Sequence, residues 1–561
     1  MDQIWSPATE KTTRLWLASA VSALAFHALI QHFELIELLV WQMLAAFSAL
    51  GLAVFYADVQ VFHTAPSDAA KNLAISATSF AATLTASILI YRAFFHRLRK
   101  FPGPFAARLT KLWSVYHSSK NLQYHFVLDD VHKKYGDVVR TGPRELSVAR
   151  ASALPQITTC RKSIFYAQND WRQKNHGMVE TRDLDDHRRR RRPWEMALTL
   201  KEIARYDAAM QDTIELFLDQ IACERGQRVN VTDWIAMLAY DLMGVIGFGE
   251  DFGSLKNAKE SPAIAALRSA MRALGVLFPV PWLINTLSRI PGADGGLQPF
   301  AKYCANLVDE KRKNARAEGS EQPKDIISWL IRAFEEGGPS GAPSKVALDE
   351  DTRTLVIAGA DTTYGTLVNA FYYLASNPAT YAKLQAEVDA ACPHGEHSFS
   401  HERVKNIPLL DAIINETLRL KPPVPHGQPR VTPPSGLQID DDLFIPGDVH
   451  VFMPQWVIQR DEHYYERPHE FIPERWIAGG EKAGMIKDRT AFFPFQIGTF
   501  YCVGKSLAYW EMRSVLARLA LRYNIRFASA QDGKDFDSRI LDTVTLSPPP
   551  LGMCFRARKG R

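Results

Sequence analysis

The sequence predicts a mainly α domain with a minor β region, carried behind an N-terminal membrane anchor of several spans. Three observations predict it. Two uncharged apolar runs of 19 residues stand near the N-terminus, "LLVWQMLAAFSALGLAVFY" and "LAISATSFAATLTASILIY". Beyond them helical apolar spacing dominates, as in "TYAKLQAEVDAA" and "WEMRSVLARLALRY". Strand-like runs are few and short: "DVVRTGP", "LSVA", "HVFM" and the final "GMCFRAR".

The two runs, Leu38–Tyr56 and Leu73–Tyr91, are each long enough to cross ~30 Å of hydrocarbon at 1.5 Å per residue. Leu15–Ile30 is a shorter third candidate and carries His27. The strong runs lie too far into the chain for a cleaved signal peptide. Arg92, Arg97, Arg99 and Lys100 follow the last run, and the positive-inside bias puts that end on the cytosolic side. "FPGP" (Phe101–Pro104) breaks any helix and predicts a rigid hinge. The expected division is therefore an anchor over 1–100, of two or three spans in contact with membrane lipid, and one large domain over 101–561. A hairpin of buried core helices is the competing reading of the anchor.

Of the 561 residues 47% are apolar and 23% charged, which is ordinary for a folded protein. A net charge of +5 is small for this length and argues against a nucleic-acid partner. The six cysteines have no paired spacing, so neither a disulfide framework nor a zinc ribbon is supported. "GxGxxG" is absent, so no built-in nicotinamide or flavin domain is expected. Gly319–Ser328 and Glu335–Val346 read as surface loops, and "CPHGEH" (Cys392–His397) as an exposed polar turn. Asn230 and Asn415 head glycosylation sequons on what would be the cytosolic side.

One cysteine stands apart, in "PFQIGTFYCVGKSLA". A thiolate ligand for a flat cofactor needs a tight turn. Gly498 and Gly504 remove side chains where backbone must come close, and Phe495 can shield the sulfur of Cys502. A helix starting just after Cys502 aims its positive end at the sulfur and is expected to lower its pKa. That constellation suits haem iron, though a buried cysteine in a glycine-containing turn competes with it.

Three further motifs decide the matter. "AGADTT" (Ala358–Thr363) puts Gly359, an acid and two hydroxyls inside an apolar helical run. A glycine there costs ~1 kcal/mol against alanine, and the polar groups add desolvation. A helix loosened at Gly359, with Asp361 and Thr362 facing a cavity, is the expectation. "NETLRL" sets Glu416 and Arg419 at i, i+3 on one helix face, and "PHEFIPERW" offers Arg475 as a third member of a buried ion network.

Together the four motifs resemble the cytochrome P450 superfamily, the haem-thiolate monooxygenases, over residues 101 to 555. The resemblance implies that family's fold and haem b, with Cys502 as axial iron ligand and Phe495, Gly498 and Gly504 shaping the haem loop. It implies Asp361 and Thr362 as the acid–alcohol pair that delivers protons, and Glu416, Arg419 and Arg475 as a structural triad. In "HRRRRRPW", His187 and Arg191 match the helix that meets a haem propionate, with one or two arginines turned inward. The family usually has Arg or His two residues before the cysteine. Here that residue is Phe500, which cannot donate, so Arg191 and Arg430 are expected to carry the propionates, with His426 a further candidate.

Stretches such as "PPVPHGQPRVTPPSGLQI" and "IPGDVHVFMPQWVIQRD" are similar to fungal secondary-metabolism members of the tryprostatin B hydroxylase group. That likeness implies an apolar terpenoid, alkaloid or polyketide substrate, O2, an NADPH-cytochrome reductase as electron donor, and the endoplasmic reticulum membrane. Candidate pocket walls are Phe278–Leu287, Val356, Val424–Gly427 and Thr545. Two rival readings are a haem-thiolate isomerase or dehydratase without net oxygen insertion, and a non-catalytic haem-binding membrane protein. Intact Asp361 and Thr362 speak against the former.

Overall fold

The structure is a computed structural model and describes residues 7–31, 39–167, 174–223, 227–287, 290, 292, 297–318 and 322–558. Three N-terminal helices lead the chain: α1 (Pro7–Ile30), α2 (Val40–Gln60) and α3 (Pro66–Ile90). Each contains a stretch long and apolar enough to cross a membrane. Leu38, the first residue of the expected span, lies outside the described residues. Their large apolar side chains point outward, Leu17, Val21, Leu44, Leu52 and Tyr56 among them. A hairpin of core helices would hide those faces; α2 has no buried residue at all. Inside the bundle Phe26, Phe47 and Phe80 meet one another at 5.6–5.9 Å between ring centres. His27 Nδ1 meets Ser87 Oγ at 2.7 Å, which gives the histidine that set Leu15–Ile30 apart a partner.

The hinge is pinned to the domain behind it. The Arg140 backbone N–H donates to Pro102 O at 2.7 Å. A Cβ at Gly103 would lie 2.3 Å from Arg140 O, so only glycine lets the two backbones approach this closely. Two members of the basic cluster reach the same domain: Arg92 donates to Leu109 O at 2.8 Å and Arg97 to Asp448 O at 3.2 Å.

Behind the hinge, helices build the core and short strands trim its edge. The helices that position the site are α4 (Leu184–Ala197), α5 (Val231–Met243), α6 (Pro262–Leu277), α7 (Lys345–Ser376), α8 (Pro408–Leu420) and α9 (Lys505–Arg522). α7 is the long central one. Ser344 caps it through the Ala347 N–H, and its second half is buried on nearly every side. Phe371, Leu367, Leu374, Ile413, Val515 and Leu519 are fully buried where α7, α8 and α9 meet. Each such side chain contributes ~1.5–3 kcal/mol of burial. α5 is apolar enough to read as a span, but here it is core.

The strand-like runs are strands, at Val138–Gly142, Glu145–Val148, His450–Phe452 and Gly552–Ala557. The first three share a five-stranded sheet with Arg430–Val431 and Arg161–Lys162. Only the pairing of Glu145–Val148 with His450–Phe452 is parallel.

Three local expectations need correction. α7 runs unbroken through Gly359; a Cβ there would lie 2.2 Å from Met243 Sδ, so the glycine seats α5 against α7 and does not loosen the helix. The loop drawn over Gly319–Ser328 gives way at Asp325, which caps a helix over Ile326–Glu335; residues 319–321 lie outside the described residues. In Cys392–His397 the cysteine is buried and Glu396 accepts from Arg518 at 2.9 and 2.6 Å, so part of that turn faces inward.

Candidate active site

A cavity of about 450 Å³ lies between α7 and the loop that precedes α9. From the loop side Phe495, Phe500, Cys502, Val503 and Leu507 line it; from α7 come Leu355, Ala358, Gly359 and Thr362. Cys160, Cys304, Cys392 and Cys554 are buried in the core, whereas the Cys502 side chain opens onto this cavity, whose walls withdraw it from bulk water. Its backbone N–H donates to Phe495 O at 2.8 Å, closing the turn. Gly498 makes that turn possible with φ +71°, where L side chains are strained. A Cβ at Gly504 would sit 3.8 Å from Cys502 Sγ, an ordinary contact. The need for glycine is therefore conformational at 498 and slight at 504.

The helix end is where the sequence placed it, but its effect on the free thiol is smaller than expected. Burial pushes the Cys502 pKa up; the backbone N–H groups of Gly504 and Lys505 and the charge of Arg191 oppose it without reversing it.

Basic groups gather beside this loop. In α4, Arg190 and Arg191 are buried and Arg188, Arg189 and Arg192 are exposed, as the five-arginine run suggested. Arg190 pairs with Asp351 at 2.8 Å and fastens α4 to α7. Arg191 donates to Tyr501 O at 2.8 Å and to Glu195 at 2.7 Å, and its buried Nη2 has no partner. His187 lines the cavity, meets the Phe500 ring at 4.8 Å between centres and leaves Nδ1 unpartnered. Burial, reinforced by Lys162, Arg191 and Arg430, holds its pKa down at about 3, so it is neutral. Arg430 stands one layer back. Its guanidinium lies 4.8 Å from the Phe500 ring centre, and its Nε is buried without a partner.

Asp361 and Thr362 do not face the same space. Thr362 lines the main cavity and donates to Ala358 O at 2.7 Å. Asp361 accepts from Tyr240 Oη at 2.5 Å and lines a second cavity of about 250 Å³ with Glu260, Arg268 and Tyr364. Burial raises its pKa to about 6, against the pull of Tyr240 and Arg268. Adjacent residues on a helix project ~100° apart, which separates the two walls.

Glu416, Arg419 and Arg475 come together as expected, all fully buried. Arg419 grips Glu416 through two bonds of 2.8 Å, and Arg475 reaches it at 3.1 Å. Trp476 Nε1 and the Ile472 N–H fill the remaining acceptor sites at 2.8 and 3.0 Å. The arginines spend their other donors on the carbonyls of Gln459, Pro468 and Glu466, pinning the strandless segment ahead of the cysteine loop.

Of the expected pocket walls, Phe278, Ile284, Val424 and Thr545 line the main cavity. Val356 does not; it is fully buried, and Leu355 and Ile357 face the space instead. His426 belongs elsewhere, 3.5 Å from Asp542 in an outer cavity of about 320 Å³, and is no neighbour of the cysteine loop. Two cavity residues escaped sequence reasoning. Lys162 sits in a two-residue strand, and Glu511 lies on α9 with burial raising its pKa to about 8. Neither carries a local signal, since isolated Lys and Glu normally read as surface.

Comparison with known proteins agrees with this geometry. The family model described as cytochrome P450 matches residues 102–555. The chain is 36% identical to the cytochrome P450 monooxygenase orf5 of Eupenicillium brefeldianum, over 85% of this chain and 94% of that one. It is 33% identical to the cytochrome P450 monooxygenase FCK2 of Fusarium pseudograminearum, over 93% and 94%. It is also 30% identical to tryprostatin B 6-hydroxylase of Aspergillus fumigatus, over 83% and 82%. The crystal structure of the cytochrome P450DA heme domain superposes with a TM-score of 0.68 at 19% identity, covering 82% of this chain and 98% of that one. The cysteine loop, the central helix and the buried triad thus sit in a family whose fold they share: the chain belongs to the cytochrome P450 family and is a cytochrome P450 monooxygenase.

Proposed function

We propose that the chain is a membrane-anchored enzyme that oxidises an apolar secondary-metabolite scaffold, of terpenoid, alkaloid or polyketide type, with O2 and electrons from a separate NADPH-cytochrome reductase. The observation that carries this reading is the largely apolar cavity onto which both Cys502 and Thr362 open. Residues 1–100 serve as the anchor and 101–561 as the catalytic domain, held on the cytosolic face of the endoplasmic reticulum. The outward apolar faces of α1–α3 and the basic residues after them support that placement.

The residues present suit haem b. Such a group calls for a soft thiolate donor to its iron and hydrogen-bond donors to its carboxylates. Cys502 offers the former; the unpartnered Arg191 Nη2 and His187 Nδ1 offer the latter. When bound, haem supplies the iron that activates O2 and passes one oxygen atom to substrate carbon. Cys502 would hold the group through its thiolate; Phe495 and Gly498 keep the loop closed around the sulfur, and Gly504 starts the helix whose N–H groups would stabilise the anion. His187 and Arg191 would serve the propionate edge, with the charge of Arg430 one layer behind them. Thr362 holds a proton at Oγ1 on the reacting side of α7. Asp361, with its raised pKa, gathers protons on the far side from the Glu260–Arg268 cavity and passes them around the helix turn. Leu355, Ala358, Phe278 and Val424 exclude water and orient apolar substrate.

The test is a carbon monoxide difference spectrum of reduced membranes bearing the parent or Cys502→Ala, followed by product analysis beside a reductase. The parent should show the thiolate-type Soret band and form oxygenated product, and Cys502→Ala should lose both. A thiolate band that survives in Cys502→Ala sinks the assignment.

A further inference from the structure

Two buried cations flank Phe500, and among the described residues neither has a carboxylate within ion-pair reach. Lys162 is 3% exposed and Arg430 2% exposed. Lys162 Nζ donates to the neutral carbonyl of Val179 at 2.7 Å and lies 4.7 Å from the Phe500 ring centre. Arg430 bonds the neutral acceptors Pro429 O and Gln428 Oε1, and lies 4.8 Å from the same ring. Glu180, the acid whose charge acts on Lys162, gives its Oε1 to Arg353 and Thr354 and forms no ion pair with the lysine. Burial and the charge of Arg430 hold the Lys162 pKa well below its ordinary value, so the protein itself destabilises this ammonium. Cations buried without an acid are costly unless an anion arrives from outside the chain.

We propose that Lys162 is the cation which replaces the missing donor at position 500, binding a haem propionate, and that Phe500 is a positioning residue whose ring holds Lys162 and Arg430 in place. Lys162 and Phe500 both line the cavity that Cys502 opens onto, whereas Arg430 does not. Of the two cations, Lys162 is therefore the one with direct access to a bound anion. A guanidinium at position 500 would stand between two like charges; an aromatic ring offers each of them a negative π face instead. The substitution at 500 and the lysine at 162 form one device. This inference rests on the haem reading above.

The holoenzyme tests it through haem loss to excess apomyoglobin, timed by the Soret change. Lys162→Met keeps the side-chain length and removes the charge; its haem loss should be about tenfold faster, equivalent to ~1.4 kcal/mol, with the thiolate-type carbon monoxide band retained. Lys162→Arg should stay within threefold of the parent. Phe500→Leu should also speed loss, and combining it with Lys162→Met should add little, because both act on one contact. Loss within twofold of the parent in Lys162→Met overturns the inference while leaving the haem reading intact. A parent without a thiolate band overturns the haem reading itself. Should Lys162→Met yield no folded protein, the propionate bending band in the resonance Raman spectrum of Lys162→Arg decides: it shifts if residue 162 touches the propionate, and an unshifted band overturns the inference.

Discussion

Arg191 donates to the carbonyl oxygen of Tyr501 at 2.8 Å, so α4 holds the residue immediately before Cys502 by its backbone. The same guanidinium lies 4.0 Å from the Tyr501 ring centre. A side chain expected only at the cofactor's edge thus also fixes the loop that presents the sulfur.

Arg191→Met should therefore do two things that loss of a mere edge contact would not. Removing a charge-assisted hydrogen bond costs ~1.5–3 kcal/mol, so haem retention should fall at least tenfold. The loosened loop should also shift part of the carbon monoxide band from the thiolate type to the protonated-thiol type. The spectrum separates the two roles: faster haem loss with an unaltered band shape leaves Arg191 only its edge role.

Thr362→Ala should leave haem incorporation unchanged and uncouple turnover. Thr362 Oγ1 is one of the α7 hydroxyls that line the main cavity, and it donates to Ala358 O. Peroxide formed per NADPH should rise several-fold while product falls. Unchanged product per NADPH would show that the relay lies elsewhere.

Much of this site was legible in the sequence because its residues act through local patterns. The i, i+3 spacing of Glu416 and Arg419 survives folding intact, since a helix carries it unchanged. The turn around Cys502 was legible through Gly498, whose positive φ only a local glycine signal reveals. The wall faced by Asp361 was not, although its place beside Thr362 on a helix already implied a different direction. Lys162 could not be found at all. It meets Phe500 across hundreds of residues through a two-residue strand, and strands that short leave no periodicity to read. The strand Arg430–Val431 escaped for the same reason, although Arg430 itself was named from its motif.

Glu511 yields a prediction about pH. Its carboxyl is buried on α9, with Oε1 unpartnered and its pKa raised by burial to about 8. In the unfolded chain it titrates near 4.3. Between those values the folded state keeps a proton that the unfolded state has lost, so stability falls as pH rises through this window. Glu511→Gln removes the penalty, which is on the order of 5 kcal/mol at its fullest. The thermal midpoint of the variant should match the parent near pH 5 and exceed it increasingly toward pH 8. Parallel pH profiles for the two proteins would remove Glu511 from this account.

Deleting residues 1–91 should leave a chain that still binds haem and still touches lipid. The Phe26, Phe47 and Phe80 cluster is internal to the anchor and goes with it. The contacts that dock the hinge, Arg92 to Leu109 and Arg140 to the carbonyl of Arg92, begin just beyond the cut. Among the described residues, the cavity draws none from 1–91. Yet Phe94, Phe95, Phe105, Leu112 and Tyr116 remain more than half exposed on the retained surface. Such a patch beside Arg92, Arg97, Arg99 and Lys100 suits an interfacial contact with anionic lipid. The truncated protein should therefore keep its thiolate-type carbon monoxide band and still sediment with anionic vesicles. High salt at alkaline pH should strip it from membranes while the full chain stays in the pellet. If the truncated chain folds only when α1–α3 are restored, those helices belong to the catalytic core. If it never sediments with vesicles, the exposed aromatic patch has no role at the membrane.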